Sequence, residues 1–209
     1  KFARITPKQL REKLKRDKRR GLALDIDNTL SDSDNYFIQE IISKFGDPKD
    51  FSLKKESKKY WGSLETIPQL KKHNLSGYLL KLIHSNDTPP RVPLIKDSLH
   101  ITNKINQVIP IVAYITARPT SVFPGTRMWL IRHKFPEAPV VVRPMNIDHS
   151  KKHSWKAGIL RFLYPYVQGI VDDSPGLADE LAQMYRGTIY LYGHTKHAIK
   201  NKKIIPCKT

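Results

Sequence analysis

The sequence predicts an α/β protein, a doubly wound parallel sheet with a small helical insertion after its first strand. Three observations predict it. Five short apolar runs read as strands covered on both faces: "GLALDID" (21–27), "IPIVAYIT" (109–116), "PVVVRP" (139–144), "GIVDD" (169–173) and "TIYLY" (188–192). Helical patterns alternate with them, which is the signature of parallel strands joined by crossovers. Three of the runs end in polar residues at the edge where such sheets form their binding crevice.

Each element has its own justification. Thr6-Pro7 reads as an N-cap with proline at the first helical position, opening a helix with Leu10 and Leu14 on one face. "GLALDID" is the first core strand, and after it comes a helix carrying Tyr36, Phe37, Ile41 and Ile42. From Gly46 to Pro93 the chain turns lysine-rich and lacks convincing strands, although "LSGYLLKLIHS" reads as helical. Pro89, Pro90 and Pro93 close this stretch. The remaining strands are separated by helical patterns over Val122–Lys134, Ser150–Tyr164 and Pro175–Arg186. The expected division is a basic N-terminal helix over 1–20, a core of 21–45 and 94–209, and a helical cap over 46–93.

Composition narrows the class. The chain has 209 residues, 39% of them hydrophobic, enough for one sizeable core. No apolar run has the length of a membrane span. A single cysteine, Cys207, excludes an internal disulfide framework and a cysteine metal cluster, so a reducing, cytoplasmic setting is expected. The net charge is +18, and it concentrates at the ends. Residues 1–20 hold ten Lys/Arg against two acids, and residues 193–209 hold five Lys and no acid. Such ends are either a footprint for nucleic acid or another polyanion, or solvated tails.

The chemistry concentrates at the strand ends. Asp25 and Asp27 close the first strand, Thr116, Ala117 and Arg118 the second, and Asp172 and Asp173 the fourth. Carboxylates crowded at buried strand ends repel one another and lose water, so a cation is expected among them. Hard oxygen ligands favour Mg²⁺. His149 and His153 are four residues apart but lack a third zinc ligand, and read as ordinary residues of a helix start. A metal beside a carboxylate suits phosphoryl transfer: one carboxylate attacks, a second moves protons, and a hydroxyl and an ammonium hold the phosphoryl oxygens.

These residues carry a resemblance. "DIDNT" resembles the Asp-x-Asp-x-Thr motif I of haloacid dehalogenase-like hydrolases, "VAYITAR" resembles motif II, and "GIVDDSP" resembles motif IV in its paired-aspartate form, all in the family's order. The style of motif IV and an insertion between motifs I and II are similar to the deoxyribonucleotidase branch. The resemblance implies a Rossmann-like core and a phosphatase that works through an aspartyl-phosphate. It implies Asp25 as nucleophile and Mg²⁺ ligand, and Asp27 as general acid/base whose backbone carbonyl also ligates Mg²⁺. Asp172 completes the metal site, with Asp173 either a second ligand or a residue that orients the ligands, and Thr116, Ala117 and a motif III lysine bind phosphate. Lys151, Lys152 and Lys156 compete for that last role. Lys156 is preferred because Trp155, Ile159, Leu160 and Leu163 anchor its helix and leave it on an adjacent face.

Tyr60, Trp61 and Arg118 are the candidates for substrate contact, with Arg118 either clamping substrate or pairing with an acid. The expected activity is Mg²⁺-dependent hydrolysis of a small phosphorylated metabolite, a class that includes nucleotides. The alternatives are a phosphatase of nucleic-acid ends, or an idle module that binds RNA through the basic termini.

Overall fold

A computed structural model of the protein describes residues 1–46, 64, 67–181, 185–196 and 203–208. Six strands form one all-parallel sheet in the order β3-β2-β1-β4-β5-β6. They are β1 (Gly21–Leu24), β2 (Ile111–Pro119), β3 (Val140–Arg143), β4 (Val167–Asp172), β5 (Thr188–Tyr192) and β6 (Ile204–Cys207). The described helices are α1 (Pro7–Arg16), α2 (Ser33–Phe45), α3 (Pro68–Lys72), α4 (Ser76–His84), α5 (Ser98–Val108), α6 (Phe123–Arg132), α7 (Lys152–Leu163) and α8 (Pro175–Leu181). No described helix is long and apolar enough to cross a membrane.

Side-chain alternation along the strands builds two layers. Ala23, Ile115 and Ile170 face a core closed by Leu10 and Leu14 of α1, Leu160 and Leu163 of α7, and Leu177 of α8. Leu22, Leu24 and Tyr114 face the opposite core, closed by α5 and by Trp129 and Leu130 of α6. Chain order reverses between β1 and β4, because β2 and β3 extend one side of β1 while β4, β5 and β6 extend the other. A doubly wound sheet binds its ligand at the carboxyl ends of the strands beside such a reversal.

The insertion has a core of its own. Ile38 and Ile41 of α2, Leu64, Ile67 and Leu70, and Leu75 and Leu79 form a third cluster separate from both sheet layers. So α2, expected from the sequence to belong with the core, is part of the insertion's packing. The chain returns through a bridge between Ser31 and Leu94, with Asp32 N–H donating to Pro93 O at 2.9 Å and Ile95 N–H to Leu30 O at 2.9 Å.

The termini differ from solvated tails. Thr6 and Gln9 form a reciprocal capping box that opens α1, and Leu10 and Leu14 are buried. Phe2 is buried, and the segment before α1 hydrogen-bonds β3, with Val140 N–H donating to Ala3 O and Ile5 N–H to Val140 O. At the other end, β6 adds a sixth strand inside the expected basic tail. Pro206 weakens its strand signal, but an edge strand tolerates a residue without an N–H donor. Helix α5 has no counterpart in the expected pattern. Its inward residues are Ser98, Leu99, Thr102 and Ile105, two of them polar, and its N-cap, Asp97, sits in the left-handed region at φ 61°.

Candidate active site

Strand β1 hands its register to the first acid. Asp25 N–H donates to Val171 O at 2.9 Å, so the carboxylate is fixed one residue beyond the strand, beside β4. The chain then turns sharply. Leu30 and Ser31 N–H both donate to Ile26 O, and Asn28 takes a left-handed conformation that its short polar side chain tolerates. Asn28 Oδ1 accepts the N–H of Asp34 at 3.0 Å, tying this turn to the start of α2.

Strand β4 delivers Asp172 and Asp173 beside Asp25. Carboxylate oxygens of the three lie within 4.8 Å of one another, and all three residues are buried. Lys156 reaches them from α7, with its Nζ 2.7 Å from Asp172 Oδ2 and 3.0 Å from Asp25 Oδ1. Lys152, one turn earlier, is buried in the cleft wall, and Lys151 is exposed. Lys156 is thus paired with two of the three acids.

Three carboxylates against one ammonium leave two negative charges uncompensated if all are ionised. The energetic consequence is visible in the titration behaviour. Burial lifts the Asp25 carboxyl to about 7; Lys156 opposes the rise, and Asp172 and Asp27 add to it. Burial, with Asp172 and Asp25 close by, likewise holds Asp173 well above the usual carboxylate range. Burial acts to lower Lys156, but Asp172 and Asp25 outweigh it and keep the ammonium charged. Asp25 Oδ1 is buried without a directed hydrogen bond, since Lys156 meets it only as an ion pair. An all-oxygen donor set with excess negative charge and an unsatisfied oxygen fits a hard divalent cation such as Mg²⁺.

Asp27 has different company. Arg118 Nε lies 3.0 Å from both of its carboxylate oxygens and Nη2 lies 2.7 Å from Oδ1, while Ser33 Oγ donates at 2.5 Å. Burial alone raises its pKa, but the Arg118 charge and hydrogen bonds overcome that and hold the carboxyl below its ordinary value. Its carboxylate is not in the three-acid cluster. Of the two roles open to Arg118, pairing with an acid is the one seen, at Asp27, although Arg118 also lines the cleft. Arg118 is buried, it pairs with Asp27, and its Nη1 donates to Thr126 Oγ1 at 3.3 Å.

The second-strand residues divide in the same way. Thr116 is fully buried and does not line the cleft; its Oγ1 accepts the Arg118 N–H at 3.2 Å. Ala117 does line the cleft, and its carbonyl accepts from Arg143 Nε at 3.0 Å.

The cleft is open to solvent, and about 930 Å³ of space, the open mouth included, lies between its walls. One wall comes from the insertion, with Phe37, Leu79 and Ile83; the other comes from α7 and the turn before it, with Lys152 and His153 on the helix and His149 on the turn. His153 was not expected at the site. Its Nε2 pairs with Ser174 Oγ at 2.8 Å, and burial beside Lys152 and Lys156 lowers its pKa to about 4. Gly176 leaves room for this ring, since a Cβ there would stand 2.5 Å from Nδ1. The i, i+3 spacing of His153 and Lys156 on one helix face is the sequence signal that would have found it. Ser33 and Arg143 had no such signal. Tyr60 and Trp61 lie outside the described residues.

No known family model matches the chain, and no curated protein matches it.

Proposed function

We propose that the protein is a Mg²⁺-dependent phosphomonoester hydrolase acting on a small phosphorylated metabolite through an aspartyl-phosphate on Asp25. One observation carries this reading: three buried carboxylates and one buried ammonium meet at the ends of neighbouring strands, at the base of an open cleft. Asp25, Asp172 and Asp173 would hold the cation, which when bound offsets the charge of the phosphoryl group and keeps Asp25 ionised.

The chain's own residues supply the remaining steps. An Asp25 oxygen attacks phosphorus, the bond to the ester oxygen breaks, and the acyl-phosphate formed is then hydrolysed by water. Lys156 places a fixed positive charge beside the phosphoryl oxygens. Asp27, held ionised by Arg118, is ready to take the proton of the attacking water. Delivering a proton to the leaving oxygen requires Asp27 to arrive protonated, and so to loosen from Arg118. The apolar wall of Phe37, Leu79 and Ile83 faces the leaving group, a surface for a hydrocarbon or ring portion of the ester.

The same Arg118–Asp27 pair favours a second reading, an idle module whose acid/base is permanently occupied. A panel of phosphate esters assayed in Mg²⁺ and in EDTA separates the two. Hydrolysis of at least one ester, lost in EDTA and restored by Mg²⁺, is expected. No turnover across the panel, or full activity in EDTA after exhaustive dialysis, removes the hydrolase reading.

A further inference from the structure

We propose that the amino edge of the sheet, opposite the cleft, is a binding surface for single-stranded nucleic acid. In a parallel sheet every strand starts on the same edge, so residues far apart in sequence are gathered there. Lys18, Arg19 and Arg20 precede β1, Arg186 precedes β5 and Lys203 precedes β6, and all five are exposed. With the order β1-β4-β5-β6, these cations are spread over three strand spacings, about 14 Å. Hydrogen bonds and ring contacts join the row into one surface. Gly21 N–H donates to Tyr166 O at 3.0 Å, the Tyr164 and Tyr185 rings stand 6.3 Å apart, and Lys203 Nζ donates to Arg186 O at 3.0 Å.

Two features make this more than scattered surface charge. No Asp or Glu occurs among residues 18–21, 162–168, 185–188 and 203–204. The nearest acid in sequence, Asp17, is held by Lys13 at 2.8 Å and by Arg16 at 3.2 Å. Aromatic rings also lie within the row. Tyr164 and Tyr166, half-buried against the core with one edge at the surface, lead into β4 between the cations of β1 and β5, and exposed Phe162 at the end of α7 carries the Arg11 guanidinium 5.0 Å above its ring. A cationic track with interspersed rings is the arrangement that tracks a single-stranded backbone and stacks its bases. An anionic membrane is the competing partner. It is disfavoured because the apolar face of α1, Leu10 and Leu14, is buried in the core and not available for insertion.

The row lies at the wrong edge to feed the cleft. Five residue steps of extended chain separate Arg20 from Asp25, about 17 Å. A strand seated on the row leaves the cleft open, so it does not compete with a small ester. This surface stands whether or not the cleft is hydrolytic.

The test is fluorescence anisotropy of the full chain with a labelled oligouridylate across a salt series, and flotation with phosphatidylserine vesicles in parallel. Salt-dependent oligonucleotide binding is expected, and Asp25→Asn should retain it. The triple variant Arg19→Glu/Arg20→Glu/Arg186→Glu should bind at least about tenfold more weakly, with the log–log salt slope reduced by about 2, as loss of three phosphate contacts to a single strand predicts. Its melting temperature should match the wild type, showing that the fold is intact. Absence of salt-dependent oligonucleotide binding, unchanged binding by the triple variant, or binding to vesicles in place of the oligonucleotide would overturn the proposal.

Discussion

The two edges of this sheet carry opposite charge in opposite solvent. At the carboxyl edge, Asp25, Asp172 and Asp173 crowd together in the interior around the Lys156 ammonium. At the amino edge, Lys18, Arg19, Arg20, Arg186 and Lys203 stand in water. Topology produces both, because parallel strands gather the residues before them on one side and the residues after them on the other. Burial makes them different. Desolvation drives the acids to shifted titration and a demand for a cation, whereas the exposed bases are screened and cost little. The acidic edge is therefore the place where single substitutions carry large consequences.

The largest effect is expected at Asp25. Asp25→Asn removes the proposed nucleophile while nearly preserving volume, and turnover should fall by at least about 10⁴-fold. The variant should also show no acid-stable, hydroxylamine-sensitive phosphate on the protein. Near-wild-type turnover would remove Asp25 as nucleophile and reduce the acidic edge to a structural feature.

Arg118 tests the contrast within the acidic edge itself. Arg118→Met takes away the charge that holds Asp27 low, so the Asp27 pKa should rise. The limb of the pH–rate profile that reports Asp27 as a base should move to higher pH, with turnover near pH 6 reduced by about 10²-fold, the lower range for a positioned acid/base. Asp27→Asn should abolish that limb. An unshifted profile in Arg118→Met would show that Asp27 does not titrate in the catalytic cycle.

Stability without metal should fall as pH rises. Asp25 is raised to about 7 in the folded protein from an ordinary value of 3.8, and Asp173 is raised too. Between those values the folded state binds more protons than the unfolded chain, so stability declines with slope up to about 1.4 kcal/mol per pH unit for each such group. Asp27 is lowered, and its contribution is lost only below the ordinary carboxylate range, outside this window. His153, lowered from 6.5 to about 4, works the other way up to about pH 6.5 with a slope of similar size, so the acids are read in a His153→Gln background: its melting curves in EDTA should drop between pH 4 and pH 7, and Mg²⁺ should restore more at pH 7 than at pH 5. A melting temperature of this variant in EDTA that climbs over this interval would contradict the crowding of the acids.

The same physics decides how much of each edge is legible in the sequence. The strand-end acids are legible because a carboxylate closing an apolar run is rare and has few explanations. Lys156 is legible because its helix is anchored by Ile159, Leu160 and Leu163. The partners of Asp27 are not. Arg118 lies 91 residues away from it, and only the paired ends of β1 and β2 bring the two together. The amino edge is harder still, since Arg20, Arg186 and Lys203 share no motif and become neighbours only through strand order. In residues 1–20 the helix was legible but not its packing, and residues 193–209 were legible as charge but not as structure. Leu10 and Leu14 show a helix face without naming what covers it, and Pro206 masks β6.

Leu14 gives a middle-sized test of that point. It is buried against α7 and the sheet, so Leu14→Ala should destabilise by about 2–5 kcal/mol, read as a lower urea midpoint. Deleting residues 1–20 should then impair folding and small-ester turnover together, since Phe2, Leu10 and Leu14 all leave the core. A deletion variant with wild-type melting and turnover would return the N-terminal segment to the status of a tail.

The smallest effect is expected from charge at the amino edge, and it completes the comparison. Arg19→Glu and Arg20→Glu reverse two exposed charges in a region already strongly basic. Each reversal loses little pairwise energy in water, and the drop in net charge slightly relieves self-repulsion. Stability should stay within about 0.5 kcal/mol of wild type. Small-ester turnover should also be unchanged, because about 17 Å of extended chain, longer than a Debye length at physiological salt, separates Arg20 from Asp25. Equilibrium urea unfolding and initial rates at two salt concentrations measure both quantities. A change in turnover that persists at high salt would mean that the two edges are coupled through the strands, and the contrast between them would fail.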